Sequence, residues 1–173
     1  PPKMSISSFM GYLKGGKFHV LAQRSKEHET RAMLDGQIHD IGKVGETILQ
    51  VKEQLEEDLG RELTDVCIAA AGRVLRTVTT YVEHTFENDR EIIQEDVYSL
   101  CTMGVEKAYE EFQNSNTDTD MKFYCVGYTP MRYYMNGYQM GNLEGHKAKS
   151  IAVDLIATFL PDDVVDGLYK AVI

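Results

Sequence analysis

At 173 residues, with a net charge of −9 and a pI of about 5.0, the chain has room for one compact domain or two small ones. Its acidic surface repels phosphate backbones and anionic lipid, so nucleic acid and direct membrane insertion are excluded as first expectations. Hydrophobic residues at 43% and charged residues at 26% are the balance of a globule that buries a core; no apolar run approaches the ~20 residues that span a bilayer, and the opening PPKMSISSFMGYLKGG has no basic-then-apolar order of a signal peptide.

The segments SISSFMGYL and KFHVLAQR flank Lys14-Gly15-Gly16 and predict a β-hairpin over about 5–24. Ser25 to Asp40 is polar, with a turn signal at Asp35-Gly36, and reads as a crossover with a short strand near Gly36–His39. Ile41, Val44, Ile48, Val51, Leu55 and Leu59 recur at three- and four-residue steps, which predicts a helix capped by Asp40 and ended by Gly60. DVCIAAAG and the β-branched run Arg73–Val82 predict two strands paired through Gly72.

A second helix is expected from about Gln94 to Phe112, striped by Val97, Cys101, Gly104, Ala108 and Phe112. After the polar loop NSNTDTD come three predicted strands: FYCVGYTP, MRYYMNGYQM with a turn at Asn136-Gly137, and KSIAVDLIATFL. Pro161 then precedes a last helix, DDVVDGLYKAVI. The pattern is α+β: a small antiparallel sheet covered by two main helices, flanked by a β-hairpin and a C-terminal helix.

Chemistry-bearing motifs are sparse. His19, His28, His39, His84 and His146 share no ligand spacing, so no metal site is expected. No GxxxxGK[ST] or GxGxxG motif occurs. Cys67, Cys101 and Cys125 form no close pair and sit in apolar runs, which reads as buried reduced thiols of a cytosolic protein. The tyrosines Tyr124, Tyr128, Tyr133, Tyr134 and Tyr138 crowd one strand region. Strict alternation would turn half of them outward, as a partner surface. Arg73 and Arg76, on the preceding strand, complete the candidate partner-binding set. This silence on catalysis favours a binding or assembly module over an enzyme.

The runs DREIIQEDVYSLC, DIGKVGETILQVKEQLEEDLGRELTDVCIAAAGRVLRTV and AVDLIATFLP resemble FtsA, the bacterial actin-like cell-division family that includes the pilus-assembly relative PilM. MRYYMNGYQMGNLEGH departs from the usual FtsA pattern. The resemblance implies residues 1–33 as a remnant of an actin-like subdomain, 34–158 as an inserted strand-helix-strand-strand interaction subdomain, and 159–173 as a return helix. It also implies protein partners: the chain itself, division-ring proteins or pilus-assembly proteins.

The family's DIGT phosphate loop is absent, and its second phosphate loop and membrane helix would lie beyond Ile173. ATP and magnesium are therefore expected of a full-length parent only, and this chain is expected to be a cytoplasmic, non-catalytic piece without a cofactor. A rival reading is a small-molecule module whose pocket is ringed by Tyr124, Tyr128 and Tyr134. Ile6, Phe9, Tyr12, Phe18, Val20 and Leu21, with Val164, Val165, Leu168 and Val172, have no evident partners in the sequence. Sharing them between two copies predicts a homodimer.

Overall fold

The computed structural model describes residues 4–28, 32–34, 37–69, 74–116 and 121–173. In chain order the elements are β1 (Ser5–Lys14), β2 (Lys17–Glu27), β3 (Met33–Leu34), β4 (Gln37–Ile38), α1 (Ile41–Leu59), β5 (Arg76–Glu91), α2 (Gln94–Ser115), β6 (Phe123–Met135), β7 (Tyr138–Met140), β8 (Lys147–Pro161) and α3 (Asp162–Val172). The class is α+β, and every sheet pairing is antiparallel. The chain divides into two compact units, Pro1–Arg73 with Asp163–Ile173, and Val74–Asp162. Among the described residues no helix is long and apolar enough to cross a membrane.

In the first unit, β1 and β2 pair through Gly15 and Gly16 at φ of 58° and 72°, the left-handed backbone a tight hairpin turn requires. Helix α1 begins where Asp40 Oδ1 accepts the Lys43 amide at 3.1 Å and ends at Gly60, φ 64°. Its buried positions are Val44, Thr47, Val51 and Leu55. The helix lies along one face of the hairpin, as three side-chain contacts show: Arg24 to Asp58, Lys26 to Gln50, and Arg61 to the Met10 sulfur. Ala32, Val44 and Ala171 form the unit's small core, with Ile6, Met33, Ile38 and Ile48 packed against it. A Cβ on Gly45 would stand 3.4 Å from the Ala171 carbonyl oxygen, so α1 and α3 meet closely there. Val164, Val165, Leu168 and Val172 are half-buried within this unit, whereas Phe9, Tyr12, Phe18, Val20 and Leu21 stay exposed. Local packing thus accounts for the last helix but not for the hairpin's outer half.

The second unit is a four-stranded sheet of order β5-β8-β6-β7 with α2 on one face. Central strand β8 sends Ile151, Val153, Leu155, Ala157 and Phe159 into the core beneath Leu100, Ala108 and Phe112 of α2. Each large side chain so buried contributes roughly 1.5–3 kcal/mol. Gly104 lets the helix settle onto the sheet, since a Cβ there would lie 2.3 Å from the Leu155 Cδ2. At the start of α2, the apolar Ile93 offers no capping oxygen; Asp96 Oδ2 instead accepts the Ile93 amide at 3.0 Å. The Asn136-Gly137 turn joins β6 to β7, and Asn136 Oδ1 accepts the Lys149 and Ser150 amides at 3.0 Å, tying that turn to β8.

Several expectations need correction. Helix α1 packs on the first hairpin and α2 on the larger sheet, and the two compact units part at 73/74 and 162/163. The strand-helix-strand-strand order belongs to residues 74–162, as β5-α2-β6-β8 with β7 a short arm. Asp65–Ala69, read as a strand, is not in one and is exposed; the pairing proposed through Gly72 lies outside the described residues, as does the Asp35-Gly36 turn. FYCVGYTP and MRYYM form one continuous strand, because Pro130 is absorbed at a bulge. Of the three thiols only Cys101 is buried; Cys67 and Cys125 are exposed.

Candidate partner-binding surface

The sheet of the second unit has two unequal margins. On β5, α2 reaches over the edge: Lys107 Nζ donates to the Tyr81 carbonyl at 2.8 Å, and Thr80 Oγ1 donates to Glu111 Oε1 at 3.2 Å. A lysine on an edge carbonyl occupies an acceptor that an added strand would need. On the other side β7 pairs only with Tyr133–Met135. The stretch 123–132 of β6 therefore has no outer neighbour strand among the described residues.

Two irregularities shape that margin. The β6–β8 register shifts between Cys125 and Gly127 and again between Pro130 and Arg132. Each shift inserts one extra residue, Val126 and Met131, and each reverses the in–out alternation that follows. Tyr124 is opposite Leu160 and Tyr134 opposite Ala152, on the sheet face away from α2; Tyr128 is opposite Ala157 and Tyr133 opposite Val153, on the α2 face. Tyr138, on β7 opposite Met135, is 78% exposed.

The five tyrosines thus have separate roles. Tyr133 is half-buried against the core, its hydroxyl 4.0 Å from the Cys101 sulfur; burial, helped by that thiol and by Tyr128, pushes its pKa up to about 12. It is a structural residue. Tyr134 donates to Asp154 Oδ2 at 2.6 Å and meets Tyr81 edge to face, 5.9 Å between ring centres. Tyr124 and Tyr128 are exposed, as are Val126 and Met131. Arg76 opens β5 opposite Phe159 and has its own partners; Arg73 lies outside the described residues.

A pocket ringed by Tyr124, Tyr128 and Tyr134 does not form, because Tyr128 lies on the opposite face from the other two. A cleft of about 350 Å³ lies elsewhere, between β5 and α2, lined by His84, Phe86, Arg90, Asp96, Ser99, Leu100 and Met103. It is furnished mainly by internal contacts: Arg90 pairs with Asp96 and stacks over Phe86 at 4.3 Å. The Asn142–His146 loop is structural too, with the Ile92 amide donating to the His146 carbonyl and the Gly145 amide to the Ile92 carbonyl, both at 2.8 Å. No cluster of metal-ligating side chains occurs among the described residues.

Sequence alternation missed Val126, Met131 and Tyr81. The available signal was Gly127 and Pro130 inside a strand, residues that mark bulges when a strand runs through them.

No protein-family model matches the chain, and no curated protein does. Among solved structures, one chain of a PilM-PilN type IV pilus biogenesis complex is similar at 10% identity and a TM-score of 0.46. The match covers 96% of this chain and 40% of that one.

Proposed function

We propose that the chain is a non-catalytic protein-interaction and assembly module of an FtsA-like cell-division adaptor, acting in the cytoplasm through the β6 margin of its second unit. The observation that carries this is the open β6 margin, where Tyr124, Val126, Tyr128 and Met131 stand exposed beside a packed core, Tyr124 and Tyr128 on opposite faces of the sheet. Bulges that turn two apolar residues outward re-aim side chains for contact, and exposed apolar side chains gathered along an open sheet edge are a surface that a partner can cover. Pro130 offers no amide and the bulges interrupt the ladder, so recognition works through side chains more than through strand addition. The strand-helix-strand-strand order of 74–162 supports the FtsA-type reading, and the module takes neither ATP nor metal itself.

A second reading uses the same margin. The 123–132 stretch is long enough to seat a short extended peptide, which suits a PilM-like pilus-assembly adaptor. Pairwise binding to the division-ring and pilus-assembly proteins of the same genome separates the two readings. The combined substitution Tyr124→Ala, Val126→Ser, Met131→Ser is expected to weaken the true partner at least about tenfold, since truncated apolar anchors each cost on the order of 1 kcal/mol or more. Unchanged affinity would remove the β6 margin from the interface.

A further inference from the structure

In the β1–β2 hairpin, residues paired directly across the strands share a side, and so do residues two apart on one strand. Met10 with Ala22, Tyr12 with His19 and Lys14 with Lys17 therefore stand on one side, the side that α1 packs against. Nearer the base of that side, Arg24 is held by Asp58 and Lys26 by Gln50 of the helix. The helix ends at Gly60, and Arg61 reaches the Met10 sulfur at 3.4 Å. Beyond Met10 the hairpin runs past the helix end, and Tyr12, Lys14, Lys17 and His19 are all exposed.

Tyr12 and His19 stack on each other there, ring centres 5.2 Å apart and planes within 14°. On one side of the stack stands Arg61, at Met10; on the other stand Lys14 and Lys17, directly opposite each other. Like charges directly across a strand pair are destabilising. Among the described residues none of these three cations has a carboxylate partner. The acids at the end of α1 serve other groups: Asp58 holds Arg24, and Glu56 holds Lys52 and the Leu63 amide. The hairpin itself has no Asp or Glu between Met4 and Lys26, in a chain of net charge −9.

We propose that this stacked pair, with cations at both ends, docks an acidic segment of a partner protein that carries an aromatic residue among its carboxylates. The carboxylates meet Lys14 and Lys17 at one end and Arg61 at the other. The aromatic residue lies against the Tyr12–His19 stack. A nucleic acid fits less well, because three cations neutralise too few phosphates to hold a polyanion on an acidic chain.

Fluorescence anisotropy with the whole chain tests this, using a dye-labelled pentapeptide with one tyrosine between two pairs of glutamates. Binding is expected at low salt and should weaken as salt rises. The counterpart peptide with lysines in place of the glutamates should not bind. Lys14→Glu with Lys17→Glu should weaken binding of the acidic peptide at least about tenfold, and Tyr12→Ala about threefold. Lys17→Glu alone should also weaken it, yet melt no lower than the parent, because a repulsive cross-strand pair becomes an attractive one. That variant separates a lost site from a lost fold. No binding of the acidic peptide, equal binding of both peptides, or unchanged binding in the double variant would overturn the proposal. So would tighter binding of single-stranded oligothymidylate than of the acidic peptide.

Discussion

His28 sits where β2 ends against α1, 3% exposed. The Thr47 hydroxyl gives its hydrogen to the Lys43 carbonyl at 2.9 Å, so at 3.3 Å from Thr47 the His28 Nδ1 is the donor. His28 Nε2 is then a bare, buried lone pair with no partner among the described residues. Burial lowers the imidazole's pKa from its ordinary 6.5. Below that pH the unfolded chain takes up a proton that the folded chain resists, so stability falls as pH drops from neutral into the mildly acid range. Chemical denaturation at neutral and mildly acid pH should show this loss in the parent and a flatter dependence in His28→Phe; equal slopes would contradict it. Gly104→Ala is the second prediction at this scale. Alanine favours a helix by roughly 1 kcal/mol, but its Cβ meets the fully buried Leu155, and overpacking costs about 1–3 kcal/mol. A net loss of about 1 kcal/mol is expected, with recovery when Leu155→Val is added. A Gly104→Ala protein more stable than its parent would show that Leu155 yields freely.

Elements were legible wherever local rules acted alone. Helix α1 and its Asp40 and Gly60 caps, the Gly15-Gly16 hairpin and the Asn136-Gly137 turn all follow from side-chain spacing and turn chemistry that need no tertiary information. Strand faces were not legible in the same way. Period-two alternation assigns Tyr124, Tyr128 and Tyr134 to one face, and two inserted residues on β6 undo it, because register is set by pairing with β8. DVCIAAAG is apolar enough to be a strand, yet among the described residues no partner strand holds Asp65–Ala69 in one. The exposed β5 edge is managed by the element that follows it, α2, through Lys107 on the Tyr81 carbonyl, a contact that strand propensity does not reveal. Lys107→Ala should cost less than about 1 kcal/mol, as an exposed polar contact, yet free an edge for pairing. Light scattering is expected to show association growing with concentration in Lys107→Ala and not in the parent; identical profiles would mean that α2 itself, not the lysine, protects the edge.

On the scale of the whole chain, the order of elements could be read from the sequence but their grouping could not. Which sheet a helix covers depends on contacts between distant segments. Thus α1 lies on the hairpin, and α3 belongs to the first unit although residues 74–162 of the second unit intervene. The candidate site was half legible for a related reason: the tyrosine-rich region was visible in composition, whereas the outward turn of Val126 and Met131 exists only once β6 pairs with β8. Among the described residues no group of His, Cys, Asp and Glu could hold a metal ion, and the account rests on contact chemistry at the β6 margin. The most direct measurement is photo-crosslinking in the living host, with the reactive residue at Val126 in one strain and at the exposed α2 position Thr102 in another. The account predicts one defined adduct with a division-ring or pilus-assembly protein from position 126 and none from 102. Equal adducts from both positions, or none from 126, would contradict it.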